Sequence, residues 1–303
     1  MNKVALVIIY NHQYNKNIQI LEDIYLNRFS NIYHLVPFYN GEKTNVIPIY
    51  ESSHYFQGYV AQGFKFFFNV DYAHYFFIAD DLFLNPIINE KNYMYHLKLK
   101  ADTCFLPGFI TLHEADKLWP RVGESFYYSM NAPGVEAKNQ LPNYSMALKI
   151  FKRFGLELKP FSYKQIWRTP SSIKDLAIIS IREILRFLKS ELTNKQYKLS
   201  YPIVGAYSDI FVVSSSTIKQ FCHYCGVTAA TKLFVEIGLP TCLVLSAKEI
   251  ITEKDLDLQG KALWTSEDHL ILEKYENKLE KLINEFPTDH LYLHPIKLSK
   301  WIV

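Results

Sequence analysis

The sequence predicts an α/β fold: a mostly parallel sheet with helices on both faces. Three observations predict it. Short apolar runs without Asp, Glu, Lys or Arg recur at residues 4–10, 32–39 and 72–79, the pattern of strands buried on both faces. Between them, apolar residues return at helical spacing, as Ile18, Leu21, Ile24/Tyr25 and Phe29, then as Phe56, Tyr59/Val60, Phe64 and Phe67. Strands and helices alternate in chain order, which implies parallel pairing with crossover helices.

The remaining elements follow from local chemistry. Residues 46–50 form a short third strand, and Ser52 or Ser53 caps the helix that follows. Residues 101–107 are a further strand. From about 112 to 200 the alternation fails. Residues 119–145 are rich in Pro, Gly, Asn and Tyr and read as a long functional loop or lid. Within 171–192, Ile173, Ala177, Ile181, Ile184, Leu188 and Leu192 make a helical ridge, flanked by Arg182, Arg186 and Lys189. Such a helix either packs on the protein or lies on an anionic membrane surface. Residues 210–213 are a strand. Ser214–Ser216 then cap a helix that stops at Gly226, and a second short helix, 229–237, stops at Gly238 before Pro240. A strand at 241–245 and a helix at 267–286 complete the reading. No repeat or linker is visible, so one domain over 1–303 is expected, with about 112–200 as an insertion.

Composition narrows the partners. The formal charge is +3 over 303 residues with no long basic run, which speaks against nucleic acid. No apolar run reaches the roughly 18 residues of a spanning helix. Residues 1–10 read as a buried strand rather than a signal peptide, because no small-residue cleavage site follows. Four cysteines in a chain this long imply a reducing compartment and no disulfide framework. Cys222 and Cys225 have CxxC spacing but no second ligand pair. The expected location is cytoplasmic, with peripheral contact at the inner membrane.

The chemistry concentrates at Asp80 and Asp81, which end the apolar run 72–79. Buried carboxylates are costly unless a cation meets them, and ligands of open α/β sheets bind outside the carboxyl ends of strands. Mg²⁺ or Mn²⁺ takes oxygen ligands and keeps substrate phosphates in its shell, so Asp81 and Asp80 are candidate metal ligands. The tail carries His294, Lys297, Lys300 and Trp301 within eight residues. Histidine can complete a metal shell, and lysine can hold a pyrophosphate as a point charge. Glu236 sits near the carboxyl end of the expected 229–237 helix, where the macrodipole disfavours an acid; that invites a functional reason. Asp209 opens an apolar strand in the same way. Asn11 and His12 end the first strand, where a base or ribose could rest. Caps, turns and a basic surface tail are the plain alternatives for all of these.

Taken together, these pieces resemble a glycosyltransferase of the GT-A fold. The likeness covers the amino-terminal strand–helix series, the segment Phe77-Ile78-Ala79-Asp80-Asp81, and the tail. In that family an acidic DxD-type motif holds a divalent metal against the diphosphate of a nucleotide sugar. Asp81 matches the final, metal-binding acid, Asp80 the middle position, and Ala79 stands where the first Asp usually is. The tail is similar to the His-x5-Lys arrangement of family-eight-type enzymes, with His294 as metal ligand and Lys300 on the diphosphate; Lys297 is a rival for that role, and the intervening glycine is absent. The segment from 205 to 245 resembles the sugar- and acceptor-facing part. The resemblance implies Mn²⁺ or Mg²⁺, a UDP-sugar donor, a glycan or lipid-linked acceptor, and a role in bacterial surface polysaccharide synthesis. Glu236, then Asp209, would deprotonate the acceptor hydroxyl if configuration inverts. The nearest alternative is a nucleotidyltransferase acting on sugar phosphates. It would want an early Gly-rich loop, whereas Asn11-His12-Gln13-Tyr14-Asn15 has no glycine. A catalytically inactive carbohydrate-binding protein on the same fold is the alternative from another class.

Overall fold

The computed structural model describes residues 3–117, 120–137, 139–163 and 181–302. The apolar runs form strands where expected. β1 (Lys3–Ile9) leads through α1 (Asn15–Tyr25) to β2 (Ile32–Pro37), and β3 (Val46–Ile49) follows. Ser52 accepts from the His54 N–H and caps a 3₁₀ turn, Ser53–Tyr55, that opens α2 (Phe56–Phe67). Then come β4 (Tyr72–Ala79), β5 (Phe83–Leu84), α3 (Tyr93–His96) and β6 (Thr103–Phe105). The next stretch holds 3₁₀ segments at Leu112–Lys117 and Pro120–Tyr127, α4 (Tyr144–Arg153), β7 (Phe161–Ser162), α5 (Ile181–Thr193) and β8 (Gln196–Tyr197). Ile173 and Ala177 of the expected ridge lie outside the described residues. The chain closes with β9 (Ile210–Ser214), α6 (Ile218–Ala230), α7 (Val235–Ser246), β10 (Glu249–Ile251), β11 (Gln259–Ala262), α8 (Ser266–Glu273), α9 (Leu279–Asn284) and β12 (His290–His294).

The main sheet has seven strands in the order β10-β6-β9-β4-β1-β2-β3. All run parallel except β9, which is antiparallel to both β4 and β6. The period of two along each strand divides the core. Val7, Ile9, Phe77 and Phe211 point to one face, where α2, α6 and α7 pack. Leu6, Ile8, Phe76, Ile78 and Val212 point to the other, with residues of α1 and of a small second sheet, β11-β12-β5. Both faces are covered, which is why the strands read as continuous apolar runs. Each fully buried large apolar side chain contributes about 1.5–3 kcal/mol.

Four expectations in the carboxyl-terminal half are corrected. The helix expected to stop at Gly226 runs on to Ala230. Gly226 lies inside this helix beside Ala61 of α2, where an added Cβ would make an ordinary 3.5 Å contact. The segment read as a short helix, 229–237, followed by a strand, 241–245, is instead a turn and then α7, with Pro240 inside it. Pro240 has no N–H to give the Glu236 carbonyl, and the Ala206 N–H takes that carbonyl at 2.9 Å. α7 is buried nearly all round, so its residues carry no helical periodicity to read. The long helix expected at 267–286 is two, α8 and α9, because Glu276 and Asn277 adopt left-handed φ of 55° and 56°.

One buried group beneath the sheet makes a testable statement about pH. His34 on β2 is fully buried, with Nδ1 2.9 Å from the Tyr10 hydroxyl and Nε2 3.6 Å from the Glu22 carboxylate. Burial lowers its pKa to about 4, against the partial opposition of Glu22. Between about pH 4 and 6.5 the unfolded chain therefore holds more protons at this residue than the folded one. Its contribution to stability is complete above pH 6.5 and is lost as pH falls toward 4. We expect His34→Gln to remove on the order of 2 kcal/mol of the acid-induced loss between pH 7 and 5. Urea unfolding of both proteins at the two pH values measures it.

Candidate functional site

β1 and β4 are neighbours in the sheet, and chain order reverses between them: β2 and β3 lie beyond β1, whereas β9 lies beyond β4. Their carboxyl ends therefore form the crevice where α/β sheets bind ligands. Asn11 follows β1, and Asp80 and Asp81 follow β4. The Asp80 N–H is bonded to the Ile9 carbonyl at 2.9 Å, which locks the two strand ends together. β9 runs the other way, so its amino end lies at the same mouth. The Ala79 N–H donates to the Asp209 carbonyl at 2.8 Å, bringing Asp209 beside the paired acids.

The small sheet brings the tail to the same place. β12 pairs antiparallel with β5, Tyr292 opposite Leu84 and Leu293 opposite Phe83. That register sets His294 against Asp81, and the Ile296 N–H donates to the Asp81 carbonyl at 2.7 Å. His294 Nε2 lies 3.0 Å from Asp81 Oδ1 and 4.0 Å from Asp209 Oδ1. On its other side, Nδ1 makes a short hydrogen bond with the Tyr207 hydroxyl. The Tyr207 ring stacks on Tyr292, with centroids 5.9 Å apart. Gly260 on β11 leaves room for that stack, since a Cβ there would sit 2.1 Å from the Tyr292 ring.

The electrostatics are those of an acid-rich mouth. Asp80 is 2% exposed. Burial, and then the charge of Asp81, push its pKa up to about 7, although Asn17 and backbone N–H groups at Asn11 and Asp80 favour its ionised form. Asn17 Nδ2 reaches Asp80 Oδ2 at 3.4 Å. Asp209 is also raised, by burial first, with His294 opposing. Burial would lower His294, but the Asp209 and Asp81 carboxylates outweigh it and hold the histidine above its ordinary value. The site thus favours positive charge at the position His294 occupies between the carboxylates.

The donor set suits a hard divalent ion in kind, with the Asp81 carboxylate and His294 Nε2 facing each other. Among the described residues no three His, Cys, Asp or Glu side chains form a ready-made metal cage. Such ions commonly take only one or two protein carboxylates and leave the rest of the shell to water and substrate phosphate. Asn11 Oδ1 is buried without a hydrogen-bond partner, an acceptor aligned with the end of β1. A pocket of about 480 Å³ opens nearby, lined by Trp264, Glu273, Pro295, Lys297, Lys300 and Trp301 among others. The edge of Trp264 meets His294 with centroids 5.5 Å apart, which ties the pocket to the acid cluster.

Of the residues singled out by sequence, Asp80, Asp81, Asp209 and His294 are brought together, with Asn11 beside Asp80. Lys297 and Lys300 line the adjoining pocket. His12 is exposed and packs edge-on against Tyr14. Glu236 reaches the neighbourhood through its backbone carbonyl, bonded to Ala206. The reason given for it is corrected: Glu236 lies in the first turn of α7, where the helix dipole favours an acid. Cys222 and Cys225 are buried, and burial pushes both thiols up, so they serve as core. Sequence reading missed Asn17, Tyr207, Tyr292 and Trp264 as site residues. The signal for Trp264 was faint: an exposed Trp just past a strand that pairs with the His294 strand, in a pairing visible only in three dimensions.

No helix among the described residues is long and apolar enough to cross a membrane. Compared with known proteins, the chain matches no family model and no curated protein.

Proposed function

We propose that this chain is a metal-dependent glycosyltransferase of the GT-A fold. It would move a sugar from a nucleoside diphosphate donor, UDP-linked in the first instance, to a glycan or lipid-linked acceptor in surface polysaccharide synthesis. The observation that supports this reading is the Asp81–His294 pairing across 213 positions of sequence, at the strand-end crevice and beside a pocket with two lysines. Asp81 and His294, with Asp80 behind them, would hold Mn²⁺ or Mg²⁺, which when bound offsets charge on the departing nucleoside diphosphate.

The other roles belong to the chain's own groups. Lys297 and Lys300 would neutralise diphosphate oxygens as point charges. Trp264 and Trp301 offer flat rings to a sugar or base. Asn11 Oδ1 would accept from a base N–H or a ribose hydroxyl, which satisfies an otherwise orphaned atom. Asp209 and Glu236 are the acids assigned to the acceptor hydroxyl. Asp209 is the stronger base of the ordinary aspartates because burial raises its pKa.

The test is a panel of nucleotide sugars incubated with the full chain and Mn²⁺. The expected result is metal-dependent release of nucleoside diphosphate, stopped by chelation. Pyrophosphate release in place of nucleoside diphosphate would make it a nucleotidyltransferase. Failure of every nucleoside diphosphate to bind with Mn²⁺ or Mg²⁺ would sink the reading.

A further inference from the structure

Helix α5 carries an apolar stripe that faces outward. Ile184, Leu185, Leu188 and Leu192 are 37%, 60%, 50% and 87% exposed. At about 100° per residue these four fall within an arc of roughly 100°. The side that holds the helix to the protein is a different one, marked by buried Ser190 and half-buried Phe187. An exposed leucine stripe is unfavourable in water and signals a partner surface.

Charge says which partner. Lys189 borders the stripe, and Lys195 and Lys198 follow the helix. Residues 181–198 hold five cations, Arg182, Arg186, Lys189, Lys195 and Lys198, and two acids, Glu183 and Glu191. The described helix, Ile181–Thr193, carries five charged residues, Arg182, Glu183, Arg186, Lys189 and Glu191, which does not suit a segment crossing a hydrocarbon core. A short helix with one leucine face and a basic edge is built to lie in the plane of an anionic bilayer surface. Pairing with a second copy of itself would bring together two segments of like sign, each with five cations and two glutamates. Next to the helix, Tyr197 on β8 packs against Tyr127 and Tyr163, with centroids 6.2 and 5.4 Å away, and Tyr127 is 43% exposed. Tyrosine rings favour the boundary between headgroups and hydrocarbon.

We propose that α5 docks this protein onto an anionic membrane surface. The Ile184, Leu185, Leu188 and Leu192 side chains enter the headgroup–acyl boundary, and Lys189, Lys195 and Lys198 meet the lipid phosphates. This docking is independent of the transferase reading and would hold under any catalytic assignment.

The experiment is flotation of the full chain with vesicles of phosphatidylcholine, with and without phosphatidylglycerol. The wild type is expected to float with the anionic vesicles, less so as salt is raised. The exposed-site variant Leu188→Glu/Leu192→Glu should lose at least about tenfold in vesicle partition, because two of the four apolar side chains become acids that an anionic surface repels. Lys189→Glu/Lys195→Glu should lose binding to anionic vesicles while leaving the leucines in place. Circular dichroism and melting of each variant should match the wild type. No flotation with anionic vesicles, equal flotation with neutral ones, or unchanged flotation of the leucine variant overturns the proposal. So does a wild-type dimer that the leucine variant converts to monomer without any vesicle binding, which would assign the stripe to a second copy.

Discussion

Replacing Asp81 with alanine is expected to weaken Mn²⁺-dependent binding of nucleoside diphosphate by at least about 100-fold, the upper end of what loss of a ligand's supporting partner alone costs. Asp81 faces His294 at 3.0 Å, and its side chain is 20% exposed, open enough to reach a ligand. Removing it takes away one of two facing donors and leaves the other without its carboxylate. The fold should survive, because the backbone contacts that place this residue, including the Ile296 N–H to Asp81 carbonyl bond, do not use the side chain. Isothermal titration with a set of nucleoside diphosphates, with and without Mn²⁺, reads the effect. Unchanged metal-dependent affinity would remove Asp81 from the site. His294→Ala should match it under the proposal that both side chains serve one ion.

Replacing Phe77 with alanine is expected to cost about 3–5 kcal/mol of folding stability. Phe77 is fully buried in the centre of the sheet. It stacks on Phe211 at 4.6 Å and 12°, and meets Phe67 edge-on at 5.7 Å. Its loss opens a cavity between β4, β9 and α2 and breaks an aromatic pair worth a further 0.5–1.5 kcal/mol, on the order measured for such pairs. Domains of ordinary stability have about 5–15 kcal/mol in total, so this change takes much of the margin. A urea titration should show a lower midpoint with little change in slope. A loss below about 1 kcal/mol would mean that the pocket collapses around the smaller side chain.

The amino-terminal half was legible because its signals are local. Strands β1 to β4 are apolar runs with α1 and α2 between them at a clear helical period, and the acids sit where such a strand ends. α7 was not legible. Its burial on all sides erased the period, and Pro240 and Gly238 read as breaks, whereas the bond from Ala206 to the Glu236 carbonyl supplies what proline withholds. Gly226 misled in the same way: a glycine that ends a helix and one in its interior look alike in one dimension. The antiparallel direction of β9 was equally hidden, since strand direction depends on the path of the chain before it.

For the site, the residue types and their positions in the chain were enough to select Asp80, Asp81, Asp209 and His294. A carboxylate pair closing a buried strand, or a histidine in a short basic tail, is unusual on its own terms. Their meeting was a matter of tertiary structure alone. A three-stranded side sheet, whose strands are two to five residues long and carry little sequence signal, turns the tail back by pairing β12 with β5. The same sheet supplies Tyr292 and the gap at Gly260, and Trp264 just past β11 meets His294. Local composition determined the strands and helices of the amino-terminal half, because apolar runs and helical periodicity are properties of a few neighbouring residues. Which distant charges share one crevice is decided by strand order and register, which depend on the whole chain packing at once.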